Sequence, residues 1–436
     1  AGLAGLTTAT RLAGAGVDVV VFEAGAEPGG RIGTVPFPDG ATAEVGAQEF
    51  WAGGSAFPLL AELGLPLLEE PGRSSAVLDG EFYPVSQIGE ARLPGFDALA
   101  DLVARYAARP AAAPHDATIR DLVRDVAGSG PAADWAKATL EIETSVDWND
   151  LAAPDGIAEL LPFFGGVGGQ GQTCARVVGG NGRLIDALVR RLPDERLRRG
   201  TRVLGVRDAG RFLEVKVADA DGGPDTVTAD HVVLAVPFWA TATLDLDLRS
   251  TLPVRHALSS LRAVGYVKLV GRVRRDRVGA DSLAMFPVVT ETSAGCVYLT
   301  DPGEGRELVL TVLVGGAAAA RLLGRPDIAV RRHCLQVLEN MSIRDRFGAR
   351  VGLFDGLDAA VTESRVFGRA SALTHWPARL GRSRFDPLAA MLRRPIGRLH
   401  FAGDSTECCH TDGAVTSALR VIDQILGTDT GIGRPA

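Results

Sequence analysis

Cysteine is scarce in this 436-residue chain: Cys174, Cys296, Cys334, Cys408 and Cys409 are the five present. An odd number with neither metal-type spacing nor small-domain density excludes a disulfide-stapled scaffold and a zinc ribbon, and it fits a reduced compartment. Lysine is scarcer still, standing only at 137, 216 and 268, so each one can be weighed singly. No uninterrupted apolar run reaches the roughly 18 residues a membrane helix needs, which argues against firm membrane attachment and, with the cysteine usage, predicts a cytoplasmic protein. Positive charge is in deficit, 46 Lys plus Arg against 53 Asp plus Glu for a formal charge of −7. That is the wrong sign for a partner of nucleic acid. Neither a Ser/His/Asp order nor a metal-ligand cluster stands out, so no metal is expected. Repeats and low-complexity segments are missing as well.

What is plentiful is apolar residue and glycine. Hydrophobic residues make up 46% of the chain and charged ones 23%, enough for a large core in one big or two intertwined domains. Glycine, at 53 residues, exceeds the roughly 7% of average proteins and implies backbone running close to something in several places.

The opening AGLAGLTTATRLAGAG followed by VDVVVFEAG reads as a small-residue helix and then a short buried strand ending in an acid. These match the later part of a dinucleotide-binding βαβ unit, with Gly2 and Gly5 as the second and third glycines of GxGxxG and Glu23 as the acid for a ribose. The first glycine and first strand of such a unit are missing, and the expectation is a chain trimmed at its N-terminus. A merely Gly-rich helix packed on a sheet is the plainer alternative. Farther along, 55–175 reads as mostly helical, with ALADLVARYAA and TIRDLVRDVAG amphipathic and the Gly-rich FFGGVGGQGQ near its end. The α/β character returns at 176–244, strands and helices mix over 245–394, and 395–436 is strand, polar turn and helix. Residues 1–54, 176–244 and 395–436 are therefore expected to form one α/β domain in three pieces, with 55–175 and 245–394 inserted as a second, α+β domain.

The motifs AGLAGL with FEA, PGGR at 28–31, VVGGNGRL at 177–184, VVLAVP at 232–237, GYVKLV, and HFAGD with DGAV, in that order, resemble the flavin-containing amine oxidoreductase superfamily. That group includes monoamine, L-amino-acid and polyamine oxidases and, more distantly, protoporphyrinogen oxidases and carotenoid desaturases. The resemblance implies a Rossmann-like FAD-binding domain interleaved with an α+β substrate-binding domain. It places Gly2 and Gly5 at the pyrophosphate, on a helix N-terminus that favours anions, Glu23 at the adenosine ribose, Gly30 and Arg31 across the diphosphate, and the Val203 backbone at the adenine. Gly403 and Asp404 fall by the ribityl or pyrophosphate region. Gly413, Ala414 and Val415 open a helix aimed at the N1 and C2 edge of the ring, where charge accumulates on reduction. Arg31 as a solvated loop residue remains the plain alternative.

Lys268 interrupts an apolar strand, where an unpaired ammonium is costly. The family places a lysine there, linked through water to flavin N5 and associated with reaction with dioxygen; an edge-strand lysine reaching solvent is the other reading. The family's paired aromatic rings fall here near Ser383, with Phe385 the nearest ring, and near His410, so the aromatic cage is altered or absent. His410 is either a substrate contact or proton acceptor or a histidine at a helix start. Trp51, Phe385 and Trp376 are weak candidates for the substrate cavity, with Trp376 more a packing residue, as are Trp148, Phe163 and Phe164. Cys408 and Cys409 read as pocket lining. LGRSRF lacks the cysteine that carries covalent flavin in some members, so dissociable FAD is expected. The implied activity is hydride transfer from a C–H next to nitrogen to flavin N5, with dioxygen as acceptor and hydrogen peroxide as product. Dehydrogenation of a larger apolar or ring intermediate, or flavin binding without turnover, are the competing possibilities.

Overall fold

The computed structural model describes residues 1–71, 74–84, 93–164, 173–219, 222–248, 252–278, 283–303, 305–344, 348–354 and 356–427; most of the FFGGVGGQGQ stretch lies outside them. The helix Leu3–Gly14 buries Leu3, Leu6 and Leu12 together with Ala4, Thr7, Thr8 and Ala9. Those small side chains let it lie close against the helix Thr411–Leu426. Gly2 precedes it in extended conformation with no side-chain cap, and no acid occupies its first turn, so the unpaired N–H groups of its N-terminus are unblocked.

Two parallel ribbons flank these helices. Val21–Phe22 pairs with Leu197–Arg198, and Val232–Leu234 pairs with Leu399–Phe401; in each, the partners are far apart in sequence. Pro224–Ala229, Leu213–Ala218, Arg202–Asp208 and Asp245–Asp247 form a separate four-stranded sheet.

The largest sheet has seven strands in the order Val361–His375, Arg262–Arg274, Glu307–Val314, Cys296–Thr300, Val288–Thr290, Ser75–Leu78, Glu81–Tyr83. Arg262–Arg274 is an interior strand, buried on both faces from Gly265 to Val273. Its alternation divides two cores. Val267, Leu269 and Val273 face a cluster with the helices Gly316–Leu322 and Asp327–Glu339, whereas Val270 packs with Phe37, Ala41 and Ala43 around the hairpin Thr34–Pro36/Thr42–Glu44. Lys268, two positions from Val270, lies on the hairpin side.

The helices Phe96–Tyr106, Ile119–Ala127, Pro131–Thr144 and Ala153–Leu160 form a block with its own core. Thr118 and Asp121 close a reciprocal capping box at the start of the second, and Pro131 starts the third, which stops at left-handed Ser145. Within 55–175 the structure also has the strands Leu67–Pro71, Ser75–Leu78, Glu81–Tyr83 and Thr173–Val177. Ser75–Leu78, buried along its length, pairs in parallel with Val288–Thr290 and so ties this stretch to the large sheet. No described helix is long and apolar enough to cross a membrane.

Candidate active site

A cavity of about 560 Å³ is lined both by residues around the start of the Leu3–Gly14 helix and by residues of the seven-stranded sheet and the helical block. Of the residues singled out in the sequence, Gly2, Glu23, Gly30, Arg31, Trp51, Val203, Lys268, Gly403, Asp404, Cys409, His410 and Ala414 line it, whereas Cys408 does not. Segments from both ends and the middle of the chain thus meet on one space.

The glycines at one side do what their backbone demands. Gly29 and Gly30 have φ of +131° and +59°, and Gly29 bridges to Gly2. A Cβ on Gly30 would stand 3.2 Å from the Gly2 Cα. This turn and the uncapped helix start form a side-chain-free cradle of N–H groups, which suits a diphosphate. Glu23 accepts from the Gly25 amide at 2.8 Å. Arg31 grips Asp404 with both terminal nitrogens, Nη1 to Oδ2 at 2.6 Å; burial pulls its pKa down, but the Asp404 carboxylate outweighs this and holds it above the ordinary value. Gly403, at φ +128°, donates its N–H to Ser417 Oγ at 2.8 Å. The donor set fits FAD: Gly2, Gly30 and Arg31 would hold the diphosphate, Glu23 the ribose, and the Val203 strand the adenine.

Gly5, Gly413, Val415, Phe385 and Trp376 are not in the lining. Gly5 instead permits close helix–strand packing, since a Cβ there would lie 3.2 Å from the Ala235 Cβ. A Cβ on Gly413 would come within 2.1 Å of the Cys408 carbonyl oxygen, so that glycine serves the turn before the helix. Val415 is buried among Leu3 and Leu6. Phe385 is 36% exposed beneath the Arg384 guanidinium, and Trp376 is buried with Val206, Leu234 and Phe401 in a different core. Trp148 and Phe163 belong to the core of the helical block. Ser383 is buried, with its hydroxyl on His115 Nδ1 at 3.0 Å.

Lys268 is 1% exposed on an interior strand, which rules out the edge-strand reading. Its ammonium donates to the Glu44 carbonyl at 3.1 Å, the Gly46 carbonyl at 2.8 Å and Gln48 Oε1 at 2.7 Å, so all three N–H groups have acceptors. Burial pulls its pKa down to about 8, against the nearby Glu44 and Glu49 charges.

His410 is built into a buried chain of charges. Its Nε2 donates to Glu159 Oε2 at 2.5 Å, Arg384 Nη1 donates to Glu159 Oε1 at 2.5 Å, and the Arg384 amide donates to both oxygens of Asp155 at 3.1 and 3.2 Å. Burial disfavours the imidazolium, but Cys409 and Glu159 more than offset it and hold the His410 pKa well above its usual value. Burial likewise disfavours the Glu159 anion, yet His410 and Arg384 bring it down to about 2. The stable state is a carboxylate between an imidazolium and a guanidinium.

The sequence reading missed the cavity's acids and tyrosines. Glu49, Glu143, Tyr266 and Tyr298 all line it. Burial lifts Glu143 to about 7, with Glu49 and Glu159 adding to it and His410 opposing; burial also raises Glu49, opposed by a hydrogen bond from Cys174. The signal for Glu143 was its helix face: Ala132, Ala136 and Thr139 share it at helical spacing, and all three are buried. Ligand-type atoms of Glu159, Cys409 and His410, and of Glu49, Glu70 and Cys174, come within 4.8 Å of one another, but Arg384 and Arg176 already hold a carboxylate of each group.

Comparison with known proteins agrees with this geometry. The profile of the flavin-containing amine oxidoreductases matches residues 3–426. The flavin-dependent L-tryptophan oxidase RebO of Lentzea aerocolonigenes is 28% identical over 273 residues, 59% of this chain, and the match spans 54%, about half, of that relative's length. Among solved structures, cyclohexylamine oxidase from Brevibacterium oxydans IH-35A superposes with a TM-score of 0.78 at 16% identity, covering 98% of each chain. Putrescine oxidase bound to putrescine gives 0.76 at 18% identity, covering 98% of this chain and 97% of that one. At such identities the likeness of the solved structures concerns the fold. With its profile matched over residues 3–426 and its distant segments meeting on one cavity, the chain belongs to the flavin-containing amine oxidoreductase family.

Proposed function

We propose that the protein is an amine oxidase: it removes hydride from a carbon next to an amine nitrogen and passes the electrons to dioxygen. The observation that carries this reading is a single cavity that joins the dinucleotide cradle to a buried lysine and to carboxylates. The bound flavin supplies the two-electron acceptor. The substrate C–H and N–H together lose two electrons and two protons to give an imine, and dioxygen takes up both to give hydrogen peroxide.

The chain's own groups have distinct tasks. Gly2, Gly30, Arg31 and Asp404 would hold and orient the dinucleotide. Lys268, fixed by Glu44, Gly46 and Gln48, keeps a positive charge and an exchangeable proton beside the site where dioxygen is reduced. Trp51, Tyr266 and Tyr298 give the cavity aromatic walls in place of the family's ring pair. A large apolar ring substrate fits less well, since it would press hydrocarbon against Glu49 and Glu143. We take the flavin to be dissociable and, from five free cysteines, the protein to be cytoplasmic.

Anaerobic titration of the flavin-loaded protein with aliphatic and aromatic amines tests this. The expected result is bleaching of the oxidised flavin absorbance by at least one amine, and its return with peroxide formation when air is admitted. A flavin left oxidised by every amine and amino acid tried would overturn the reading.

A further inference from the structure

We propose that Arg420 is a positioning residue for the cofactor: from outside the cavity it fixes the turn that carries Asp404, and so sets the affinity for the diphosphate of FAD. This rests on the FAD cradle described above. Gly403 and Asp404 line the cavity, whereas Thr406, Glu407, Ser417 and Arg420 do not. Asp404 begins the three-residue helical turn Asp404–Thr406, just after Gly403 at φ +128°. A turn that short closes few bonds of its own and takes its place from what holds it. The Thr411–Leu426 helix holds it at both ends. Ser417 Oγ accepts the Gly403 N–H at 2.8 Å, and one turn farther along the helix Arg420 Nη2 donates to the Phe401 carbonyl and to Thr406 Oγ1, each at 3.0 Å.

The Thr406 hydroxyl gives its own hydrogen to the Gly403 carbonyl at 2.8 Å, so through one hydroxyl the guanidinium reaches the peptide that joins Gly403 to Asp404. Its remaining nitrogens are anchored as well. Nε donates to Glu407 Oε1 and Nη1 to the Arg393 carbonyl, both at 2.9 Å, and Arg393 Nε donates in turn to the Thr406 carbonyl at 2.8 Å. The Arg420 and Glu407 side chains are only 11% and 16% exposed. One planar fork thus meets four acceptors, which the single ammonium of a lysine cannot copy. The consequence falls on the Asp404 carboxylate, which both terminal nitrogens of Arg31 grip. Such a two-pronged pair depends on the placing of both partners, and Arg31 would lie across the diphosphate. Loosening Arg420 lets Asp404 drift and Arg31 follow it. The adenosine end keeps its own supports, because Glu23 is held by the Gly25 amide and Val203 is paired with Val217.

The test is dilution of the flavin-loaded enzyme, with released flavin read by its fluorescence, and displacement of the flavin by ADP and by adenosine. In Arg420→Lys, FAD and ADP are both expected to bind about tenfold more weakly, the loss that a displaced charge-assisted hydrogen bond carries, while adenosine binds within about twofold of its wild-type affinity. If that variant does not load flavin, Thr406→Val, which removes only the hydroxyl link, supplies the second measurement: ADP is expected to weaken about threefold and adenosine to be unchanged. FAD and ADP bound as tightly as by the wild type would overturn the proposal. So would equal losses for FAD, ADP and adenosine, the mark of a merely structural role. Failure of ADP to displace flavin from the wild type would overturn the diphosphate cradle itself, and the proposal with it.

Discussion

Glu159 offers the most direct check on the electrostatics of the site. In Glu159→Gln the amide keeps the size and an acceptor oxygen, but the charge between His410 and Arg384 is gone. Arg384 retains Asp155, whose carboxylate burial raises to about 7, so it is a weak replacement. Removing one partner from a buried ion pair costs about 3–5 kcal/mol. With an unfolding entropy of about 2.1 cal/mol/K per residue, the transition of a chain this long shifts about 1 °C per kcal/mol, and the expected fall in Tm is about 3–5 °C. The pH dependence has a definite sign. Glu159 is depressed in the folded state, so its contribution is present above its ordinary 4.5 and is lost as pH falls toward about 2. His410 is raised, so its contribution is complete below its ordinary 6.5 and fades as pH climbs through its higher folded value. The gap between wild type and variant is therefore widest between about 4.5 and 6.5. Thermal release of flavin fluorescence, followed across pH for both proteins, measures it. Equal Tm values near pH 6, or a gap that goes on widening as pH rises above 6.5, would refute the reasoning.

Lys268→Met should retain flavin yet slow reoxidation by dioxygen at least tenfold in stopped flow, and reoxidation at the wild-type rate would remove the role given to the lysine. Because burial holds Lys268 near 8, wild-type reoxidation should slow as pH rises through that value; a flat profile there would count against a cationic role. Gly5→Asp, which drives a side chain against Ala235 and sets a negative charge near the helix start, should lose flavin and melt lower; a variant isolated with full flavin would contradict this. Phe385→Ala, outside the cavity and 36% exposed, should leave kcat/KM within about twofold, and a large loss would return Phe385 to the site.

Local chemistry explains which parts of the site the sequence disclosed. Gly2, Gly30 and Glu23 stand in short fingerprints whose backbone geometry follows from residue type, and a lone lysine in an apolar strand marks itself. Glu143 is marked only by sharing a helix face with Ala132, Ala136 and Thr139, and Tyr298 by nothing local: what makes them notable is a space bounded by a helix and a sheet strand far apart along the chain. The aromatic residues erred in the other direction. Phe385 and Trp376 lie near expected landmarks in order, but Phe385 ended 36% exposed under Arg384 and Trp376 in a core, where a bulky ring finds apolar neighbours. The strand Ser75–Leu78 was hidden in a stretch of helical pattern because its partner, Val288–Thr290, is remote.

The ribbon of Val232–Leu234 with Leu399–Phe401 has a consequence for biosynthesis. On a translating ribosome the earlier segment waits through the intervening chain for its mate, roughly ten to thirty seconds at ordinary elongation speeds, with apolar surface uncovered. Heterologous production should thus gain from slow, cool induction and from chaperones, and riboflavin supplied during synthesis should help only polypeptides that have cleared the exit tunnel as far as that final strand.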